Sequence, residues 1–147
     1  MKTFEADAID RQIIDRLRED NATNTALSRE LGLSEGAIRQ RLARLKSSGV
    51  LKIAARIDPD VLAGQQLAVV ALNVQKVALL ERKAEQVAAL EHVLSVSIVS
   101  GRYDLIAEVL VVSNTGLVEF LTGELSKVAG LTHSESFLML KNYGKYV

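Results

Sequence analysis

Apolar residues recur every three or four positions through the first fifty residues, which is the spacing of helices that bury one face. Each of three such stripes follows a residue whose side chain is suited to cap a helix N-terminus. The caps and stripes are Asp7 with Ile9, Ile13 and Leu17, Thr23 with Leu27 and Leu31, and Ser34 with Ile38, Leu42 and Leu45. Gly32 lies between the last two stripes and can adopt the positive φ of a tight turn. The pattern therefore predicts three short helices around one small core.

The residues after the third stripe lose the helical period. Val50 to Ile57 is short and apolar with basic residues interspersed, which predicts a strand or wing. Pro59 and Gly64 then interrupt the chain, and we expect a domain boundary there. The predicted organisation is a first domain over residues 1–56, a linker over 57–64 and a second domain over 65–147.

The second half alternates between strand and helix patterns. The predicted elements are a strand over Leu67–Val74, a helix over Leu79–Leu90, a strand over 94–98, a strand over Tyr103–Val112, a helix capped by Asn114 or Thr115, and a strand over Leu131–Leu140. Gly101 and Arg102 are expected to form a two-residue turn between the second and third strands. The order β-α-β-β-α-β predicts a ferredoxin-like domain, so the fold class is α+β with an N-terminal winged helix-turn-helix.

The third predicted strand is apolar on both faces. Leu105, Ala107 and Val109 alternate with residues such as Ile106 and Leu110. Helices cover only one face of a ferredoxin-like sheet, so the other face needs a partner. The sequence therefore predicts a homodimer.

Composition narrows the possible function classes. The chain has no cysteine, which excludes disulfides, thiol nucleophiles and thiolate metal sites and fits a reducing cytoplasm. It has no apolar run of the roughly 20 residues that span a bilayer, so we expect no membrane partner. Its 18 basic and 18 acidic residues balance, but residues 29–56 hold seven basic and only two acidic residues. Such a basic block is compatible both with a solvated helix face and with nucleic-acid binding.

Specific motifs then identify a resemblance. The motifs are Asp7-x-x-Asp10-x-x-Ile13-Ile14-x-x-Leu17, Leu27-Ser28-x-x-Leu31-Gly32-Leu33-Ser34, Arg41-Leu42-x-x-Leu45-x-x-x-Gly49-Val50-Leu51 and Gly101-Arg102-Tyr103-Asp104-Leu105. The first three resemble the DNA-binding half of Lrp/AsnC-type transcriptional regulators, and the last is similar to the Gly-x-Tyr-Asp turn of that family's amino-acid-sensing domain. Two positions depart from the family pattern: Asn21 replaces the usual Arg, and Ile53-Ala54 replaces the usual Gly-Tyr.

A helix-turn-helix places its second helix, here the third of the domain, in the major groove of double-stranded DNA. Arg39 can donate two hydrogen bonds to guanine and Gln40 can pair with adenine, so both are predicted base contacts. The remaining predicted DNA-binding residues are Ser34, Glu35 and Gly36 at the helix start, and Arg44, Lys46 and Lys52 as phosphate contacts. Arg41 is instead expected to pair with an acidic residue of the first helix.

The resemblance implies that the Gly-x-Tyr-Asp turn contacts a free amino acid, opposite the start of the last strand, in a cleft between neighbouring dimers. The candidate effector-binding residues are Gly101, Arg102, Tyr103, Asp104, Thr132, His133, Ser134 and Glu135. Asp104 can accept from the ammonium group, and backbone N–H groups near Gly101 can donate to the carboxylate. From the residues alone, an ordinary hairpin turn and an exposed edge strand remain the alternatives. The resemblance also implies assembly of dimers into octamers, in the cytoplasm on nucleoid DNA.

Three functions are compared with the sequence. The first is a regulator tuned by an amino acid, and the second is an effector-independent architectural DNA-binding protein. The third, an enzyme, lacks support because the sequence has no Cys, only two separated His residues and no glycine-rich phosphate loop. We therefore predict no catalytic residue, cofactor or metal site; His133 and Glu135 supply too few ligands, and His92 is expected at the surface.

Overall fold

The computed structural model describes residues 4–20 and 22–147, so the departure at Asn21 lies outside the described residues. The chain divides into two compact units, one ending at Ala55 and the other running from Arg56 to Val147. Among the described residues, no helix has both the length and the apolar character needed to cross a membrane.

The first unit consists of α1 (Ala8–Asp20), α2 (Asn24–Leu31) and α3 (Glu35–Ser47). The three predicted caps are confirmed, since the side chains of Asp7, Thr23 and Ser34 each accept a backbone N–H from the first turn of the helix that follows. Gly32 adopts φ +65° at the end of α2, so the predicted turn is confirmed as well.

The core of this unit is formed by the three predicted apolar stripes. Ile13, Leu27, Ile38 and Leu45 are fully buried, and partly buried residues of all three helices surround them. Burying such side chains stabilises a domain by roughly 1.5–3 kcal/mol each. The helices are therefore held by tertiary packing rather than by their own propensity.

Of the strand or wing predicted over Val50–Ile57, the strand is wrong. No strand is assigned between α3 and residue 58, and most of these residues are exposed. The N–H of Leu51 donates to the carbonyl of Leu45 at 3.1 Å, which folds the chain back onto the end of α3. A strand requires a neighbouring strand, and the described part of this unit provides none.

The second unit confirms the predicted ferredoxin-like order. Its elements are β1 (Gln65–Val74), α4 (Leu80–Ala88), β2 (Val93–Ile98), β3 (Leu105–Val112), α5 (Ser113–Glu119) and β4 (Leu131–Leu138). The strands form one antiparallel sheet in the order β2-β3-β1-β4, so β2 and β4 are its edges. After α5 the chain continues as a π-helical turn, Phe120–Glu124, and a short 3₁₀ helix, Leu125–Lys127.

Two local predictions in this unit are wrong. The connection between β2 and β3 spans residues 99–104 rather than a two-residue turn. The hairpin is closed by the N–H of Val99, which donates to the carbonyl of Asp104 at 3.0 Å, and the N–H of Asp104 donates to the carbonyl of Leu72 on β1. The helix after β3 begins at Ser113, without a side-chain cap, so Asn114 and Thr115 lie inside its first turn. Helix α4 and strand β4 also end two residues earlier than predicted.

The two faces of the sheet differ in their cover. On one face, Val70, Leu72 and Leu105 are fully buried against helix residues such as Val87 and Phe120. On the other, the register aligns Leu67 and Ala71, which are buried, with Val69, Ile106, Leu110, Val112 and Phe137, none of which is fully buried. Val112 retains 64% exposure and Phe137 49%. This second face is therefore apolar and incompletely covered within one chain.

The predicted linker, 57–64, lies within the second unit. Ile57 and Val147 exchange two backbone hydrogen bonds of 3.0 Å, and the carboxylate of Asp60 contacts Lys141 at 2.8 Å and the side-chain amide of Asn142 at 2.7 Å. The hydrogen bond from Lys141, followed by that from Asn142, lowers the pKa of Asp60 to about 2. The segment that follows Ala55 is thus fixed to the last residues of the chain.

Candidate nucleic-acid interface and effector site

Helix α3 presents one polar face to solvent. Glu35, Gly36, Arg39 and Gln40 are all exposed, and Ser34 caps the helix start. Glu35 accepts a hydrogen bond of 2.7 Å from the hydroxyl of Thr25 on α2, which ties the start of α3 to its neighbouring helix. The structure therefore brings five of the eight predicted DNA-binding residues together on one surface.

Gly36 lies on this surface at a position where the fold leaves room for a side chain. A Cβ at this position would meet no protein atom nearer than Ser34 Oγ, at 3.8 Å. The described fold therefore does not itself require glycine there. An external molecule that approaches the helix backbone closely would require it.

The inner side of α3 is joined to α1 by an ionic network. Asp10 is completely buried, and its carboxylate contacts Arg41 at 2.8 Å and also pairs with Arg44. Arg41 donates a second hydrogen bond, of 2.6 Å, to Asp7. This bond, followed by one from the N–H of Asp10, lowers the pKa of Asp7. The predicted salt bridge from Arg41 to the first helix is confirmed.

Arg44 does not occupy the position expected of a phosphate contact. Its guanidinium pairs with Asp10 and lies 5.4 Å from the centre of the Phe4 ring. The sequence showed Arg44 outside the apolar stripe but not that a buried carboxylate would hold it. Lys46 and Lys52 are both exposed, Lys52 in the irregular segment after α3.

In the second unit, Asp104 has partners within the fold. Its carboxylate accepts the N–H of Val74 at 2.8 Å and lies 3.5 Å from the side-chain amide of Asn73, which also donates to the carbonyl of Arg102. These bonds tie the 99–104 loop to the end of β1. The geometry thus gives Asp104 a role in shaping the loop, whereas the sequence suggested an acceptor for an ammonium group. Asn73 was missed because nothing in its local sequence marks it.

Three candidate effector residues meet on the incompletely covered sheet face. The Tyr103 hydroxyl donates to the carboxylate of Glu135, and the Tyr103 ring stacks on His133 with centroids 6.2 Å apart. The guanidinium of Arg102 lies 5.5 Å from the centre of the same ring. A phenol, a carboxylate, an imidazole and a guanidinium are thus grouped at one end of the sheet, where together they can bind polar and charged groups. We call Tyr103, His133 and Glu135 the aromatic–acid cluster.

The remaining polar residues of β4 lie on the opposite face of the sheet. Strand alternation places Thr132 and Ser134 on the helix side, where they line a cavity of about 200 Å³ together with Leu121 and Leu125. The predicted site residues of β4 are therefore divided between two surfaces. Gly101 is exposed in the loop, with φ +144°.

His92 is not the plain surface residue that we expected. It is partly buried, its Nδ1 lies 2.6 Å from a carboxylate oxygen of Glu124, and its ring meets Phe120 edge-on. Within the described residues, no group of three or more His, Cys, Asp or Glu side chains could hold a metal ion.

Comparison with known proteins agrees with both units. Residues 7–52 match the winged helix-turn-helix DNA-binding family, and residues 67–146 match the Lrp/AsnC ligand binding domain. An uncharacterized HTH-type transcriptional regulator of Pyrococcus furiosus is 31% identical, over 94% of this chain and 95% of its own. The crystal structure of the leucine response regulatory protein of Mycobacterium tuberculosis has a TM-score of 0.78 and 27% identity, covering 95% of this chain and 96% of that one.

A third similar structure is a transcriptional regulator of Neisseria meningitidis in complex with L-Met. It has a TM-score of 0.67 and 23% identity and covers 96% of this chain and 94% of that one, which supports the fold alone.

A helix-turn-helix unit followed by a unit that matches a ligand-binding domain defines a transcriptional regulator, not an enzyme. Within that class, the chain belongs to the Lrp/AsnC family. The resemblance stated from the sequence is therefore confirmed.

Proposed function

We propose that this regulator recognises a specific operator through α3, with Arg39 and Gln40 reading base edges. The observation that carries the proposal is the exposed surface on which Arg39 and Gln40 lie beside a glycine that the fold itself does not require. Arginine pairs with guanine and glutamine with adenine in the major groove. Ser34, Glu35 and the backbone at Gly36 lie at the edge of the same contact, while Lys46 and Lys52 bind phosphates.

The proposed contact is tested with the DNA directly upstream of the protein's own coding sequence. We expect a shifted complex in a gel-shift assay that survives a large excess of unrelated DNA, since specific sites bind roughly 10³–10⁷ times more tightly than non-specific ones. Footprinting of that complex should show two protected half-sites about one DNA turn apart. Equal competition by unrelated DNA would contradict sequence-specific binding.

The two half-sites follow from a proposed homodimer. Its support is the incompletely covered apolar sheet face, on which Val112 and Phe137 remain about half exposed or more. A two-fold dimer supplies two recognition helices and doubles the phosphate contacts, which one basic helix alone provides in small number. Association of such dimers into an octamer, acting on nucleoid DNA in the cytoplasm, completes the proposal.

The proposed effector is a free amino acid bound at the aromatic–acid cluster. The family's ligand-binding domain covers this region, and the Neisseria meningitidis regulator of the same fold was crystallised with L-Met. Glu135 and the Tyr103 hydroxyl can accept from an ammonium or another cationic group, and Arg102 can pair with a carboxylate. Asp104 is held by a backbone N–H, that of Val74, whereas Glu135 accepts from a side-chain hydroxyl, that of Tyr103, so we assign the ammonium acceptor to Glu135.

Calorimetric titration with each of the twenty amino acids tests the proposed effector site. We expect at least one to bind at millimolar concentration or below, and Glu135→Gln to weaken that binding about tenfold or more by removing a charged acceptor. Glu119→Gln is the matched control, since Glu119 is exposed on α5. If none of the twenty binds to the wild-type protein, the effector-independent architectural function is favoured.

A further inference from the structure

The helix-turn-helix unit contains a second candidate ligand site, a groove at the side of α3. The groove has a volume of about 520 Å³. Small-molecule sites in proteins are typically clefts of roughly 300–1,000 Å³ lined mainly by apolar groups. The groove lies entirely within the first unit, so neither the aromatic–acid cluster nor the incompletely covered sheet face contributes to it.

The groove has an apolar floor and a cationic rim. Apolar surface comes from Leu17, Ala22, Leu42, Ala43 and Ile53, and uncharged polar surface comes from Thr23 and Asn24. Arg39 and Lys46, both exposed, supply the positive charges at the rim. Arg39, Ala43 and Lys46 are spaced at i, i+4 and i+7 on α3, so their side chains share one helix face. None of the described residues that line the groove carries a negative charge.

From this pattern we infer that the groove binds an amphipathic carboxylic acid, with its apolar body against Leu42 and Ile53 and its carboxylate between Arg39 and Lys46. Two positive charges without an opposing negative one favour an anion. An inorganic anion or a DNA phosphate alone would leave the apolar floor unused, since Ile53 retains 49% exposure. Burying this surface adds affinity only for a ligand that has an apolar body.

Occupation of the groove has a consequence for DNA binding. Arg39 is a proposed base contact, so a carboxylate held by its guanidinium competes directly with the operator. This control needs no effector in the second unit and no change of assembly. This second mode of regulation rests on the proposed function, because it requires that Arg39 contact the operator. Binding of the carboxylic acid itself does not rest on that function, because it is measured without DNA.

Sodium octanoate is the probe for a calorimetric titration of the full chain. Acetate lacks the apolar body and N-methyloctanamide lacks the charge. Comparison of both with octanoate therefore separates the contribution of apolar contact to the affinity from the contribution of the negative charge. We expect octanoate to bind at one site per chain, N-methyloctanamide about tenfold or more weakly, and acetate without measurable heat. No saturable heat with octanoate, or equal affinity for octanoate and its neutral amide, would overturn the inference.

Variants locate the site. Arg39→Gln should weaken octanoate binding about fivefold or more, whereas Arg11→Gln, the same change at an exposed arginine of α1, should leave it unaltered. Ala43→Glu adds a carboxylate within reach of both rim cations and should abolish octanoate binding, with helix content by circular dichroism retained. If Arg39→Gln and Arg11→Gln bind octanoate equally well, the ligand does not lie in this groove.

Discussion

Replacing Asp10 with alanine should destabilise the helix-turn-helix unit by roughly 3 kcal/mol, since removal of one partner of a buried ion pair leaves the other without compensation. Asp10 is fully buried and pairs with Arg41 and Arg44 on α3, and it also accepts the N–H of Asp7 at 3.3 Å. The two arginines are partly exposed, so water solvates part of the positive charge that loses its partner. The expected destabilisation is therefore at the lower end of the roughly 3–5 kcal/mol that is usual for breaking a buried ion pair.

The two units can be followed separately in this experiment. The chain has no tryptophan, and its three tyrosines, Tyr103, Tyr143 and Tyr146, all lie in the second unit. Urea unfolding of Asp10→Ala should therefore shift the circular-dichroism transition of α1 to α3 to lower urea and leave the tyrosine fluorescence transition in place. Asp15→Ala, an exposed aspartate on the same helix, should change stability by less than about 0.5 kcal/mol. Equal urea midpoints of the circular-dichroism transition for Asp10→Ala and Asp15→Ala would show that the ionic network contributes little to the stability of the helix-turn-helix unit.

The ionic network around Asp10 shows which features of the first unit the sequence predicts and which it does not. Helical periodicity placed Ile13, Leu27 and Ile38 in the core, and all three are fully buried. Periodicity reports only which positions are apolar, so it did not mark Asp10 as a buried residue, although Asp10 lies three positions before Ile13 on the same side of α1. Its carboxylate pairs with two arginines about thirty residues further along the chain. The sequence predicted that Arg41 pairs with the first helix, but not that its partner is buried or that Arg44 pairs with the same carboxylate.

The second unit shows the same limit at the candidate effector site. The sequence pattern predicted the order of strands and helices along the chain and placed His133 and Glu135 on one strand face, which the register confirms. The shape of the 99–104 loop was missed, because it depends on hydrogen bonds between Asp104 and β1, a strand about thirty residues earlier in the chain. Local turn preferences favour a two-residue hairpin after Gly101, and the tertiary contacts override them.

Arg39→Ala and Lys46→Ala should affect DNA binding in different ways, although both residues lie on the same face of α3. Arg39→Ala removes a proposed bidentate base contact and should weaken operator binding by about 1–3 kcal/mol, roughly 5- to 150-fold, with little change on unrelated DNA. Lys46→Ala removes a proposed phosphate contact, so it should weaken binding to both DNAs similarly. It should also reduce the slope of the logarithm of the binding constant against the logarithm of the salt concentration by about one per bound chain.

Fluorescence anisotropy with labelled operator and unrelated duplexes, each at several salt concentrations, separates these outcomes. Arg11→Ala serves as the control for loss of a positive charge, because Arg11 is exposed on α1 and lies outside the proposed contact surface. The quantity to compare is the ratio of operator to unrelated affinity at one salt concentration, since either affinity alone is dominated by phosphate contacts. That ratio should fall for Arg39→Ala and stay constant for Lys46→Ala. If it stays constant for both, Arg39 binds phosphate rather than bases, and operator recognition depends on other residues of α3.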